Sequence, residues 1–165
     1  MRKSIIFAFM LALILVIPTV ASARDNSVTL YGSMQPTFLG LEYERRIGDW
    51  GVGAEFGMLP LNDYTQRYHL SPFGRYYFDV NFPVKPFLTL YPGMVFALYS
   101  APAAIPEADW STDFDFCLLA TAGAEYKLNW FRAALEVGGG FAVVPSPTAG
   151  VIGLFTVKGG VGVAF

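Results

Sequence analysis

The stretch "WGVGAEFGM", Trp50 to Met58, holds two kinds of residue in strict alternation. Trp50, Val52, Ala54, Phe56 and Met58 are apolar, whereas Gly51, Gly53, Glu55 and Gly57 are small or charged. Successive side chains of an extended strand point to opposite faces, so this is a β-strand with one wholly apolar face. A helix would scatter both kinds around its circumference, and the glycines would weaken it further.

The same period recurs on either side. Leu39, Leu41 and Tyr43 oppose Gly40, Glu42 and Glu44, and before them Val28, Leu30 and Met34 oppose Thr29, Tyr31 and Ser33. Downstream, Tyr68, Leu70, Tyr76 and Phe78 oppose Arg67, His69, Ser71 and Arg75. Leu88, Leu90, Met94 and Phe96 then oppose Lys85, Thr89, Tyr91 and Gly93. From Phe114 to Tyr126 the apolar set faces away from Asp113, Asp115, Thr121, Glu125 and Lys127. Phe131, Ala133, Leu135 and Val137 oppose Arg132, Glu136 and Gly138. Last, Phe155, Val157, Val161, Val163 and Phe165 oppose Thr156, Lys158, Gly160, Gly162 and Ala164. The pattern predicts eight strands, with nearly every ionisable strand residue in the phase of the glycines. Arg45, beside a turn, is the exception.

The chain opens with Arg2 and Lys3, an apolar run from Ile5 to Ile17, and Ala21-Ser22-Ala23. That is the layout of a secretory signal peptide over residues 1–23, shorter than a spanning helix requires. It leaves residues 24–165 as one domain. No cysteine follows the cleavage site, which argues against a lipid anchor there. Without Arg2 and Lys3, nine bases stand against thirteen acids, a net charge of −4 that excludes a basic nucleic-acid surface. Cys117 is the only cysteine, so no intrachain disulfide forms. Hydrophobic residues make up 54% of the chain and aromatics 16%, yet seventeen glycines and eleven prolines oppose long helices.

A soluble barrel or sandwich would turn the apolar faces inward and the charges to water. A membrane barrel inverts this, with apolar residues to lipid and polar ones to the interior. The export signal, the even strand number and the end of the chain favour the inverted arrangement: an all-β, eight-stranded antiparallel up-and-down transmembrane β-barrel. Connections alternate in length as well. Ile47-Gly48-Asp49, Asp79 to Pro83 and Leu128-Asn129 read as tight turns; Leu59 to Gln66, Tyr99 to Ser111 and Val144 to Gly150 read as longer loops. Only Gln35-Pro36 makes a short connection at the loop end. Trp50 and Trp130, with Tyr43, Phe78 and Tyr126, cluster at the tight turns as an interfacial girdle.

The chain ends "KGGVGVAF". Lys158, Gly160, Val163 and Phe165 resemble the C-terminal insertion signal of bacterial outer-membrane barrels: a polar residue, a glycine, a hydrophobic and a terminal aromatic. With its eight strands, the chain resembles small barrels of the OmpA-barrel and OmpX type. The resemblance implies a monomer in the outer membrane of a Gram-negative envelope, with its termini in the periplasm. It also implies recognition of the last strand by the barrel insertion machinery, and contact with outer-membrane lipid and lipopolysaccharide.

Eight strands enclose a lumen just wide enough for side chains to fill. Glu42, Glu44, Glu55, Glu125 and Glu136 face Arg75, Lys127, Arg132 and Lys158 within it. At about 3.3 Å per residue and a tilt near 40° they share a layer roughly 10–18 Å above the turn rim. They are expected to form an ion-pair and hydrogen-bond network that plugs the barrel, with Gly51, Gly53, Gly138, Gly160 and Gly162 making room for long side chains. His69 and Ser71 share a face, where a base could touch a nucleophile. They resemble the His-x-Ser of lipid A deacylases, but there the pair faces lipid and lies near the chain end. Two lumen residues held by hydrogen bonds is the plainer reading. Pro72 and Gly74, then Pro92 and Gly93, interrupt neighbouring strands, as bulges or as a lateral gap. A gap would resemble the OmpW type, which passes small hydrophobic molecules. The loop carrying Trp110 reads as a contact surface or a plain solvated loop. No phosphate loop, zinc spacing or other nucleophile motif appears, so no cofactor is expected, and a non-enzymatic structural or surface-interaction role is the main reading.

Overall fold

A computed structural model describes residues 25–34, 36, 38–62, 65–99, 112–144 and 150–165. Residues 1–23 and the loop carrying Trp110 lie outside the described residues. Eight strands follow one another: β1 (Asn26–Ser33), β2 (Leu39–Ile47), β3 (Trp50–Asn62), β4 (Thr65–Tyr77), β5 (Val84–Tyr99), β6 (Thr112–Leu128), β7 (Phe131–Val144) and β8 (Gly150–Ala164). Each pairs antiparallel with the next, and β8 pairs with β1 to close an up-and-down barrel. Closure runs to the outer ends of β1 and β8, where the Asn26 N–H donates to the Phe165 carbonyl at 3.1 Å and the Phe165 N–H donates to the Asn26 carbonyl at 2.8 Å. No strand edge is left open between β8 and β1, which is how a sheet escapes edge-to-edge association.

Two turns are as tight as their sequences require. Gly48 and Asn129 take left-handed backbone conformations, with φ of 62° and 53°, and both residue types tolerate that region. One expected loop is corrected. The stretch from Leu59 to Gln66 is mostly strand, with β3 running to Asn62 and β4 starting at Thr65. Pro60 still pairs with Gln66, and the ladder absorbs the irregularity by a register shift between Pro60 and Asn62.

The two faces are as the alternation predicts. Arg75 and His69 are wholly buried inside the barrel, whereas Leu135 is 62% exposed and Val151 72% exposed on its outer surface. Trp50, Tyr76 and Phe78 lie side by side near the turn rim, tilted and edge-to-face, at 5.0 and 5.3 Å between rings. A second aromatic row, Phe56, Tyr68, Phe96 and Phe114, crosses β3 to β6 further along the strands. From Tyr76 to Tyr68 along β4 the two rows stand roughly 20 Å apart after allowing for strand tilt. The sequence pattern located only the first row.

Candidate functional site: the charged interior

Three cations from three strands organise the interior. Arg75 on β4 donates through Nη1 to Glu42 (2.9 Å) and Glu44 (2.6 Å), and through Nη2 to Glu136 (2.7 Å) and the Tyr91 hydroxyl (3.0 Å). Its Nε donates to Thr89 at 2.9 Å. The guanidinium also lies over the rings of Phe73 and Phe87, 4.9 and 4.4 Å from their centres. All of its polar edge is used, as burying an arginine demands.

Lys158 on β8 resolves a conflict that strand register creates. Glu42 on β2 stands directly opposite Glu55 on β3. Like charges so placed repel, but Lys158 Nζ donates to both at 2.6 Å. It also donates to Tyr91 at 3.0 Å and lies over the Tyr31 ring. Arg132 on β7 reaches the turn end of the lumen, donating to Glu44 at 2.6 Å and to Ser27 at 2.7 Å. Its Nε is 2.5 Å from Glu125, although the N–H is not aimed squarely at that oxygen.

The contacts above join eight of the nine residues expected in the network, and Lys127 lines a small cavity beside three of them, Glu44, Glu125 and Arg132. Lys127 is directly opposite Arg132 in the β6–β7 ladder. Arg132 turns into the lumen, and Lys127 stays half-buried at the rim of that cavity, which Arg46 also lines. Arg46, which the sequence pattern did not include, also joins, donating to Glu125 at 3.2 Å and stacking 3.5 Å over the Tyr77 ring.

The pattern also missed the hydroxyls. Tyr77 donates to Glu44 at 2.6 Å; Tyr91 and Thr121 donate to Glu136 at 2.8 and 2.7 Å. Tyr77 shares the inward phase of Arg75, and Tyr91 and Thr121 stand on inward faces too, so phase was the available signal. The glycines divide in their roles. A side chain at Gly51 would collide with the Glu44 carboxylate, and one at Gly53 with the Phe73 ring, as well as with the Tyr43 carbonyl of the next strand. Gly138 and Gly162 instead admit the backbone of the neighbouring strand, because there the nearest atoms are the carbonyls of Ala120 and Val28. At Gly160 the nearest is the Thr29 methyl.

His69 and Ser71 are both fully buried and face inward. His69 Nδ1 lies 2.9 Å from Glu55 Oε1, with its ring turned off the direct line, and Nε2 lies 3.5 Å from Cys117 Sγ. Ser71 Oγ donates to the carbonyl of Pro72 at 2.9 Å. The imidazole is thus placed against a thiol, a neighbour the sequence did not suggest.

No protein-family model and no curated protein matches the chain. Among solved structures it is similar to the N-terminal β-barrel domain of Pseudomonas aeruginosa OprF. That likeness has a TM-score of 0.59 at 16% identity, covering 85% of this chain and 96% of that one. It is also similar to Neisserial surface protein A, with a TM-score of 0.53 at 18% identity over 85% of this chain and 94% of that one. At such identity the likeness establishes the fold: the small eight-stranded barrel.

Proposed function

We propose that this chain is an integral outer-membrane barrel, monomeric and not an enzyme, with a structural or surface-interaction role and an interior closed by its own side chains. The observation that carries this reading is the inversion of the barrel. Charges from β2, β3, β4, β6, β7 and β8 meet inside, while large apolar residues such as Trp130, Leu135 and Phe155 are more than half exposed outside. Water is a poor solvent for such a surface, and an open ladder edge would be costly in lipid. The two aromatic rows bracket an apolar band comparable with the roughly 25 Å band of outer-membrane barrels.

Residues 1–23 act as the export signal in this reading, and both ends of the barrel strand array lie in the periplasm. The last strand, with Lys158, Gly160, Val163 and Phe165, engages the insertion machinery. Outer-membrane lipid and lipopolysaccharide cover the wall. Lys158 serves twice, as part of that signal and as the cation between Glu42 and Glu55.

Cell fractionation and planar-bilayer recording test both halves. The expected result is recovery with the outer membrane, extraction only by detergent, and no steady conductance. A protein found dissolved in the periplasmic extract overturns the membrane reading, and a steady open channel overturns the closed interior.

A second reading, passage of small apolar molecules, has one observation in its favour: cross-strand pairing lapses between β4 and β5 beside Pro72 and Pro92. Solute uptake by vesicles carrying the barrel, above the empty-vesicle rate, would support it. A lipid A hydrolase built on His69 and Ser71 would change the acylation pattern of lipid A, and mass spectrometry is expected to find none.

A further inference from the structure

The lapse between β4 and β5 has a chemical cause. Pairing holds from His69 opposite Val95 and Leu70 opposite Met94, stops, and resumes at Gly74 opposite Leu90 without any change of register. That unchanged register sets Pro72 across from Pro92, and neither proline has an N–H to give. Each remains paired on its other side, Pro72 with Ala54 and Pro92 with Leu118. The wall is therefore held at both flanks and unbonded along one short seam.

A groove of about 510 Å³ lies over the seam. Its walls are the outward residues Leu70, Met94, Phe116 and Phe141 with the two prolines, and its lining also includes Gly93 and Cys117, both from the inward phase. Gly93 sits directly opposite Cys117 in the β5–β6 ladder. A Cβ at Gly93 would lie 2.7 Å from both His69 Nε2 and Ser71 Oγ. The missing side chain thus lets His69 on β4 and Cys117 on β6 meet across β5. With a proton on Nδ1, on the side of Glu55, the Nε2 lone pair is left to accept from the thiol.

We propose that this seam is a lateral window through which an apolar electrophile dissolved in the bilayer reaches Cys117, and that His69 is the base for its covalent capture. The inference rests on the outer face lying in lipid. The chemical class is an α,β-unsaturated carbonyl compound on a hydrocarbon chain. The apolar groove fits the chain, and addition needs only the two groups that the site supplies. The sulfur forms a bond to the β-carbon, the alkene electron pair moves into the enolate, and the thiol proton passes to His69 Nε2 and then to the α-carbon. No leaving group, oxidant or metal enters. One equivalent is captured per chain, which is stoichiometric binding and not turnover.

The test uses the whole barrel inserted in dimyristoylphosphatidylcholine vesicles, with insertion verified first by its heat-dependent gel shift and protease resistance. N-dodecylmaleimide is the apolar probe and a sulfonate-bearing methanethiosulfonate the charged one, each read by intact mass on this single-cysteine chain. The expected result is one maleimide adduct per inserted barrel and at least tenfold slower reaction with the charged probe. His69→Gln is expected to slow the maleimide at least tenfold, and Leu70→Trp, which narrows the groove from the lipid side, to slow it as well. An inserted barrel that stays unlabelled while the urea-unfolded chain is labelled overturns the window. Equal reaction with the charged probe also overturns it, since the thiol would then be reached from water. An unchanged rate in a folded His69→Gln removes the base, and Leu70→Trp decides the window if that variant does not fold. A chain that never inserts fails the membrane reading instead, so the two failures are told apart.

Discussion

Arg75 on β4 takes its acceptors from β2, β5 and β7. Replacing it with methionine keeps bulk but leaves Glu42, Glu44 and Glu136 facing one another in a buried interior. Arg75→Met is expected to cost about 3–5 kcal/mol, the usual penalty for removing one partner of a buried ion pair. A lowered urea midpoint for the vesicle-inserted barrel is the measurement; an unchanged midpoint would show that the network contributes nothing to stability. Glu136→Gln keeps the shape and part of the hydrogen bonding to Tyr91, Thr121 and Arg75, so a smaller fall in unfolding temperature is expected. At this scale the sequence disclosed which residues face inward, because side-chain phase follows from chain geometry alone. It did not disclose which cation meets which carboxylate. Lys127 and Arg132 carry the same charge in the same phase on one ladder rung, yet Arg132 is wholly buried and Lys127 only half-buried.

Strands and turns divide along the same line. Gly48 was legible as a turn residue, and its left-handed backbone explains why. Gly48→Val is expected to cost about 1–2 kcal/mol, since a β-branched side chain fits that conformation poorly, again read as a lower urea midpoint. Removing Phe165 deletes the carbonyl and N–H that pair with Asn26. The truncated chain is therefore expected to assemble more slowly into vesicles than the full chain in a gel-shift time course; equal rates would remove the terminal pair from the closure step. The stretch from Leu59 to Gln66 carries proline and polar residues that resemble a loop. A ladder tolerates them by shifting register, and that tolerance depends on the partner strand. Pro72 and Pro92 were each visible as breaks in alternation. That they fall opposite one another is a property of register, and register is where an isolated strand pattern is silent.

For the molecule as a whole, the solvent on the outer face is the decisive variable. Val137 is 49% exposed, in the middle of the apolar band. In water, Val137→Arg would be close to neutral, as exposed substitutions usually are. In lipid it is expected to cost about 2–4 kcal/mol near the midplane, so the urea midpoint of the inserted variant separates the two solvents. The sequence by itself determined the strand number, the two faces of each strand and the all-β class, because period-two alternation is written into the covalent geometry of an extended chain. The tertiary structure alone decided how the interior is wired. Lys158 and Glu42 meet although 116 residues separate them, as do His69 and Cys117 across an intervening glycine. Such meetings depend on closure and stagger of the whole barrel, which bring distant rungs to one height, and no local pattern encodes a height.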